Sequence, residues 1–199
     1  ALIDYCRGQP RYFSFRELDR AAGQVAALFH ESGLRRGDVV LVLCPMSAEL
    51  YFVLAALFRL GLVALFLDPS VQREQLELSL RGHLPRALVG GLAAQGLRWL
   101  HPTLRRIPRS FALCRGVPGT IPLGNFRHLA PLEAIVDCDD SAPALITFTS
   151  GTGSRPKAAL RTHGFLRSQL EALTGCIEFV PGQVELATLP IFVLANLAR

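Results

Sequence analysis

A chain of 199 residues, 50% hydrophobic and 19% charged, has room for one domain or two small ones and enough apolar mass to bury a core, which excludes a disordered chain. The formal net charge is +5 and the sequence pI is near 9.3. The arginines are scattered apart from Arg35-Arg36 and Arg105-Arg106, so no basic stripe with aromatics points to nucleic acid, while a positive balance suits a small polyanion such as ATP.

In chain order, Ser14 and Glu17 have capping-box spacing, and Leu18, Ala22, Val25 and Phe29 follow at helical period. Gly33 suits the residue just past the helix end. Arg36-Gly37-Asp38 is a turn, and VVLVLC at 39–44 reads as a buried strand. Ser47 is placed to cap the next helix, with Glu49 in its first turn. The apolar run 50–67 is long enough to tempt a membrane span, but Arg59 interrupts it and Gly61 follows. It reads instead as a buried helix ending near Gly61 and a strand over 62–67, broken by Asp68-Pro69. Ser70 can cap a third helix running to about Arg81, and 86–89 is a short strand.

Six prolines punctuate residues 101–143, which predicts irregular structure with one short strand near Phe111 to Cys114. A strand over 144–148 then leads into a loop rich in Gly, Thr and Ser. A helix near 165–173, a strand over 185–189 and a helix from Phe192 complete the pattern. Alternating helices and continuously apolar strands predict an α/β fold with parallel sheets covered by helices. The chain opens on Ala1 and stops inside the apolar IFVLANLAR, so both ends are expected to be cuts through a longer chain.

The loop carries the chemistry. It reads Thr149-Ser150-Gly151-Thr152-Gly153-Ser154-Arg155-Pro156-Lys157. Backbone N–H groups of a glycine-containing turn can cradle an anion, and glycine permits close approach. The hydroxyls add donors, Pro156 stiffens the approach, and Lys157 adds a compact point charge. Of the 21 cationic residues, 20 are Arg, and Lys157 is the single Lys. The pattern does not match G-x-x-x-x-G-K-[ST], because Lys157 follows Pro156 and precedes Ala158, nor G-x-G-x-x-G, because Gly151 and Gly153 have the first spacing but position 156 is Pro.

The five cysteines, Cys6, Cys44, Cys114, Cys138 and Cys176, are odd in number and form no CxxC, which supports neither a zinc site nor a disulfide framework. Cys44 is expected to be a buried inert thiol, and a reducing cytoplasmic setting fits best. His30, His83, His101 and His128 share no metal-ligand spacing. His163 is expected at a helix start, and Asp139-Asp140 as a solvated pair.

The loop resembles the signature loop of the acyl-adenylate-forming superfamily, which includes acyl-CoA synthetases, luciferases and peptide-synthetase adenylation domains. That pattern reads roughly T-S-G-[ST]-T-G-x-P-K-G. Here Gly153-Ser154 stands for Thr-Gly and Ala158 for the last Gly, and Thr162-His163 follows in the family manner. FSFRELDRAAGQVAALFHESGLRRGDVVLVL and AELYFVLAALFRLGLVALFLDPS are similar to the family's opening helices and strands, in the same order. ELATLPIFVLANL resembles the segment after the loop, with Val193 in a slot where many members carry His.

The resemblance implies the N-terminal part of an adenylate-forming large domain, with a first α/β lobe over 1–135, the start of a second over 136–199, and the C-terminal domain absent. It implies that Thr149 through Lys157 bind the ATP phosphates, that Mg2+ accompanies ATP, and that a small-molecule carboxylic acid becomes an acyl-adenylate. Coenzyme A is the implied acceptor, and Phe192 and Val193 are implied to border a pocket for a fatty or other hydrophobic acid. Alternatives are an amino-acid adenylation module that loads a carrier protein, and a non-catalytic nucleotide-binding relative. No nucleic acid is an expected partner, a basic surface could contact a membrane but no amphipathic signal in the sequence supports it, and nothing fixes the oligomeric state.

Overall fold

A computed structural model of the chain describes residues 2–6, 8–67, 76–77, 79–80, 84–149, 157–176, 182–184 and 186. Its first element was not anticipated. Strands β1 (Leu2–Cys6) and β2 (Gln9–Phe13) pair antiparallel, with Cys6 opposite Gln9 and Leu2 opposite Phe13. Gly8, at φ +79°, stands just before β2, and a glycine between two short strand-like runs is a turn signal in the sequence.

Helix α1 (Phe15–Glu31) begins at the expected capping box. The Ser14 hydroxyl accepts from the Glu17 N–H at 3.2 Å, and the Glu17 carboxylate accepts from the Ser14 N–H at 2.8 Å. Gly33, at φ +82°, turns the chain out of the helix. Strand β3 (Val39–Leu43) and helix α2 (Ala48–Arg59) follow, and Gly61 (φ +61°) closes α2. A Cβ at Gly61 would come within 2.8 Å of the Cys138 Sγ, so the position needs glycine for space as well as for conformation.

Strands β4 (Val63–Phe66), β5 (Ala87–Gly90), β6 (Arg109–Ala112), β7 (Ile121–Pro122), β8 (Pro143–Thr149) and β9 (Lys157–Thr162) join β3 in one seven-stranded sheet. The spatial order is β7-β6-β5-β3-β4-β8-β9. All neighbours are parallel except β8 and β9, which are antiparallel.

The period-two alternation of side chains divides the core between the two faces. Val40, Val42, Ala64, Phe66, Ala87 and Val89 join the cluster that holds the buried residues of α1 and α2. Leu41, Leu65, Leu88 and Ile146 join the other cluster, with Leu76, Leu80, Leu104 and Ile107. Each fully buried aliphatic or Phe side chain contributes about 1.5–3 kcal/mol of transfer free energy. Strands buried on both faces explain the unbroken apolar runs in the sequence.

Arg59 shows why the apolar run does not cross a membrane. It pairs with Asp19 of α1, and its Nη1 donates to the Leu132 carbonyl at 2.7 Å. Among the described residues no helix is long and apolar enough to span a bilayer.

Ser47 corrects one expectation. It holds the N-cap position of α2, but its hydroxyl makes no cap hydrogen bond. Asp4 of β1 takes that role, its Oδ2 accepting from the Ala48 N–H at 3.3 Å. Arg11 of β2 clamps the junction. Its two terminal nitrogens donate to Glu49 at 2.9 and 3.1 Å, and one also binds Asp4. Burial pushes the Asp4 and Glu49 carboxyls up, but the hydrogen bonds and charge of Arg11, with backbone donors, outweigh it and hold both below their usual values.

The folded protein therefore holds fewer protons at these sites than the unfolded chain does. The stabilisation is complete above the ordinary carboxylate range and is lost as pH falls through the lowered folded values. Urea midpoints followed against pH should drop steeply through that window in the parent, and less steeply in Arg11→Met. Parallel curves would show that the junction does not couple protonation to folding.

Three differences concern the middle of the chain. Helix α3 (Leu92–Leu100) appears where no helix was expected. Its Gln95 is buried and its leucines face out, so its amphipathic pattern is the reverse of the usual one. Helix α4 (Pro102–Arg105), β7 and a 3-10 turn (Leu123–His128) add regular structure to the proline-rich part. The strand expected at Phe111 to Cys114 is β6, beginning earlier at Arg109.

Of the helix expected from Ser70 to about Arg81, only residues 76–77 and 79–80 are described, and they are helical. The strand at 185–189 and the helix from Phe192 lie outside the described residues except residue 186. Residues 130–142 carry no helix or strand, and the expected division at 135/136 falls there. Beyond it, β8 and β9 extend the sheet that β3 begins. Helix α5 (His163–Cys176) is the last described element.

Candidate functional site

Residues Ser150, Gly151, Thr152, Gly153, Ser154, Arg155 and Pro156 lie outside the described residues, as do Phe192 and Val193. The two strands that hold the loop are described. β8 enters parallel to β4, in register Ala64 to Leu145 and Leu65 to Ile146. This brings the backbone of Thr149 to the carboxyl end of the parallel strands, the end at which open α/β sheets take ligands. β9 returns antiparallel, with Lys157 opposite Thr149 and Ala158 opposite Phe148.

The loop is thus the connection of a hairpin, and its two ends, Thr149 and Lys157, are register partners. Lys157 opens a strand, exposed, and not a helix as it would after a Walker-type loop. β9 was not anticipated from the sequence, although KAALRT follows directly on the loop.

Several contacts fix this hairpin. Leu145 and Ile146 are buried on opposite faces of β8. The Arg161 Nη1 donates to the Thr147 hydroxyl at 2.9 Å, and the Arg161 guanidinium lies over the Phe165 ring at 5.7 Å. The Thr162 hydroxyl accepts from the Phe165 N–H at 3.1 Å, which caps α5. A Thr just before a helical run is a readable cap signal, so the role of Thr162 could have been found from the sequence.

The start of α5 docks on the chain before β8. His163 N–H donates to the Ala142 carbonyl at 3.0 Å, and Gly164 N–H donates to the Asp140 carbonyl at 2.9 Å. A Cβ on Gly164 would meet that carbonyl at 2.9 Å and the Asp140 Cβ at 2.8 Å. The helix can approach only because residue 164 has no side chain. The Asp140 carboxylate is exposed and pairs with Arg167, while Asp139 is exposed and 3.6 Å from Arg36. The pair is solvated, as expected.

His163 stands at the helix start, as expected. Its ring meets Phe58 edge-on at 5.9 Å between centroids, and its Nε2 is buried without a hydrogen-bond partner. Burial, and then the charge of Arg36, pull its pKa below the usual imidazole value, so it is neutral at pH 7. Cys44 is equally quiet. Its Sγ lies 3.7 Å from the Val89 carbonyl, and burial, then the charge of Glu49, push the thiol up to about 12.

Residues 1–198 match the family of AMP-binding enzymes. The chain is 29% identical over 185 residues to an olefin beta-lactone synthetase of Xanthomonas campestris pv. campestris, covering 91% of this chain and 33% of that protein. It is 27% identical over 175 residues to a crotonobetaine/carnitine–CoA ligase of Salmonella arizonae, covering 83% and 34%. The chain spans about a third of the length of these curated relatives.

Among solved structures, ATP-bound MatB from Rhodopseudomonas palustris superposes with a TM-score of 0.78 at 26% identity, over 93% of this chain and 38% of that one. A protein of the same organism, assigned as a long-chain-fatty-acid CoA ligase, shares the fold with a TM-score of 0.82 at 20% identity, over 96% and 48%. With a match that runs from residue 1 to residue 198 and a sheet that superposes on these structures, this chain belongs to the AMP-binding enzyme family.

Proposed function

We propose that this chain forms the ATP-phosphate end of an enzyme that activates a carboxylic acid as its acyl-adenylate. A carboxylate oxygen attacks the α-phosphorus of ATP, the bond to the β-phosphate oxygen breaks, and pyrophosphate leaves. In a second step the thiol of coenzyme A attacks the acyl carbon, AMP leaves, and the thiol proton passes to solvent. A fatty or other hydrophobic acid is favoured by the apolar segment that holds Phe192 and Val193, assigned here to the acyl pocket.

One observation carries this reading: Thr149 and Lys157 are register partners at the carboxyl end of the sheet. The backbone and hydroxyls of Thr149, Ser150, Gly151, Thr152, Gly153 and Ser154 would wrap the β- and γ-phosphates. Arg155 and Lys157 would neutralise the leaving pyrophosphate, with Pro156 fixing the approach to Lys157. Magnesium enters with ATP, since it binds phosphate oxygens and waters with few carboxylates.

Ala158, where the family pattern has Gly, sits in regular strand pairing opposite Phe148. That backbone is open to any L residue, so the exchange costs the strand nothing.

The test is ATP–pyrophosphate exchange by the full-length protein, with fatty, aromatic, small and amino acids offered in turn. Exchange stimulated by hydrophobic acids is the expected result. Stimulation by amino acids alone would move the assignment to a carrier-loading module. A folded protein that binds ATP but exchanges with no acid would be a non-catalytic nucleotide-binding relative.

A further inference from the structure

Helix α3 turns to solvent the face that folding normally hides. Leu92 is 69% exposed, Leu100 80%, Trp99 45% and Leu97 39%. The residue it buries is Gln95, whose Nε2 donates to the Phe111 carbonyl at 3.0 Å and whose Oε1 accepts from the Ser110 hydroxyl at 2.7 Å. The polar contact, with buried Ala94, fixes how the helix is rolled on the sheet. Satisfying Gln95 inside holds the leucines outside. Large apolar side chains left exposed along one short helix mark a contact surface.

The segment that carries this patch is basic, and Glu77, whose carboxylate lies 3.9 Å from the His101 Nε2, stands at its end. Between Glu77 and Glu133 the sequence contains eight arginines and neither Asp nor Glu. The whole chain has a net charge of +5, so its positive charge is concentrated in this segment. Arg105, on the adjoining α4, is held against the patch by its Nε, which donates to the Trp99 carbonyl at 2.6 Å. Arg105 and Arg106 are both exposed. Aliphatic side chains, an amphipathic Trp and arginines at one end form the surface that anionic lipid binds: apolar groups enter the headgroup boundary and cations meet the phosphates.

We propose that the face formed by Leu92, Leu97, Trp99 and Leu100, with Arg105 and Arg106, docks the protein on an anionic membrane surface. The docking is peripheral. α3 has nine residues, too few to span a bilayer, and its apolar side chains sit on one exposed face.

The test is co-sedimentation of the full-length protein with phosphatidylcholine vesicles, with and without phosphatidylglycerol, at low and high salt. Pelleting should require phosphatidylglycerol and weaken at high salt. Arg105→Ser with Arg106→Ser should lower the partition coefficient by roughly 30-fold. Trp99→Ser with Leu100→Ser should lower it by roughly tenfold or more.

Arg105 and Arg106 are exposed, so the midpoint of the arginine pair should stay near that of the parent, while Trp99 is 45% exposed, so the Trp99 and Leu100 pair is assayed well below its own midpoint. The absence of phosphatidylglycerol-dependent pelleting in the parent would overturn the proposal, and would mean that the rest of the protein or a protein partner covers the face. Pelleting that both variant pairs leave unchanged would also overturn it. A dimer on size exclusion that Trp99→Ser abolishes, without pelleting, would assign the face to a second copy of the chain instead.

Discussion

Lys157→Ala in the full-length protein is expected to lower ATP–pyrophosphate exchange by roughly 10²–10³-fold, the usual loss when one group that stabilises developing charge is removed. The unfolding midpoint should stay nearly constant, because Lys157 is exposed at the start of β9 and exposed substitutions usually change stability by within about 0.5 kcal/mol. Register with Thr149 brings the Lys157 Cα to the mouth of the loop whatever path residues 150–156 take.

Lys157→Arg is expected to recover only part of the activity. A planar fork replaces a compact ammonium, and twenty other positions in this chain already accept Arg. Exchange that survives Lys157→Ala at the parental rate would remove Lys157 from the phosphate site and leave Arg155 as the cation of the loop.

The second large effect belongs to the scaffold. Leu65→Ala should destabilise the protein by about 2–5 kcal/mol. Leu65 is fully buried on β4, in register with Leu41 of β3 on one side and Ile146 of β8 on the other. The three side chains make a row across the sheet in one core cluster. Truncating the middle one leaves a cavity at β4, next to the strand that carries Thr149. Denaturant midpoints would report the loss, while exchange measured well below the transition should persist.

The two variants thus separate chemistry from support, Lys157→Ala losing rate with stability kept and Leu65→Ala losing stability with rate kept. A Leu65→Ala protein as stable as the parent would mean that this row is not part of the cooperative core.

Local signals predicted local structure well. The Ser14–Glu17 box, the strand at 39–44 and the helix ending at Gly61 all stand where short-range pattern put them. Some errors were local, since the β1–β2 hairpin and β9 are short-range pairings that went unread, and others came where a distant residue overrides a local one. Ser47 looks like a cap, yet Asp4 supplies the cap from another element. α3 was overlooked because Gln95, an apparent surface residue, is satisfied inside by Phe111 and Ser110, so the helix period points the wrong way.

The sequence by itself determined the class of the fold, the loop and its single Lys, since these follow from composition, period and the order of residues along one segment. Only the tertiary structure decided that Lys157 faces Thr149 across a hairpin, that Gly164 lets α5 close on Asp140, and that Arg105 stands beside Trp99. Strand register and helix roll are set by contacts between residues far apart in the chain, and a linear pattern does not encode which distant partner each residue will meet.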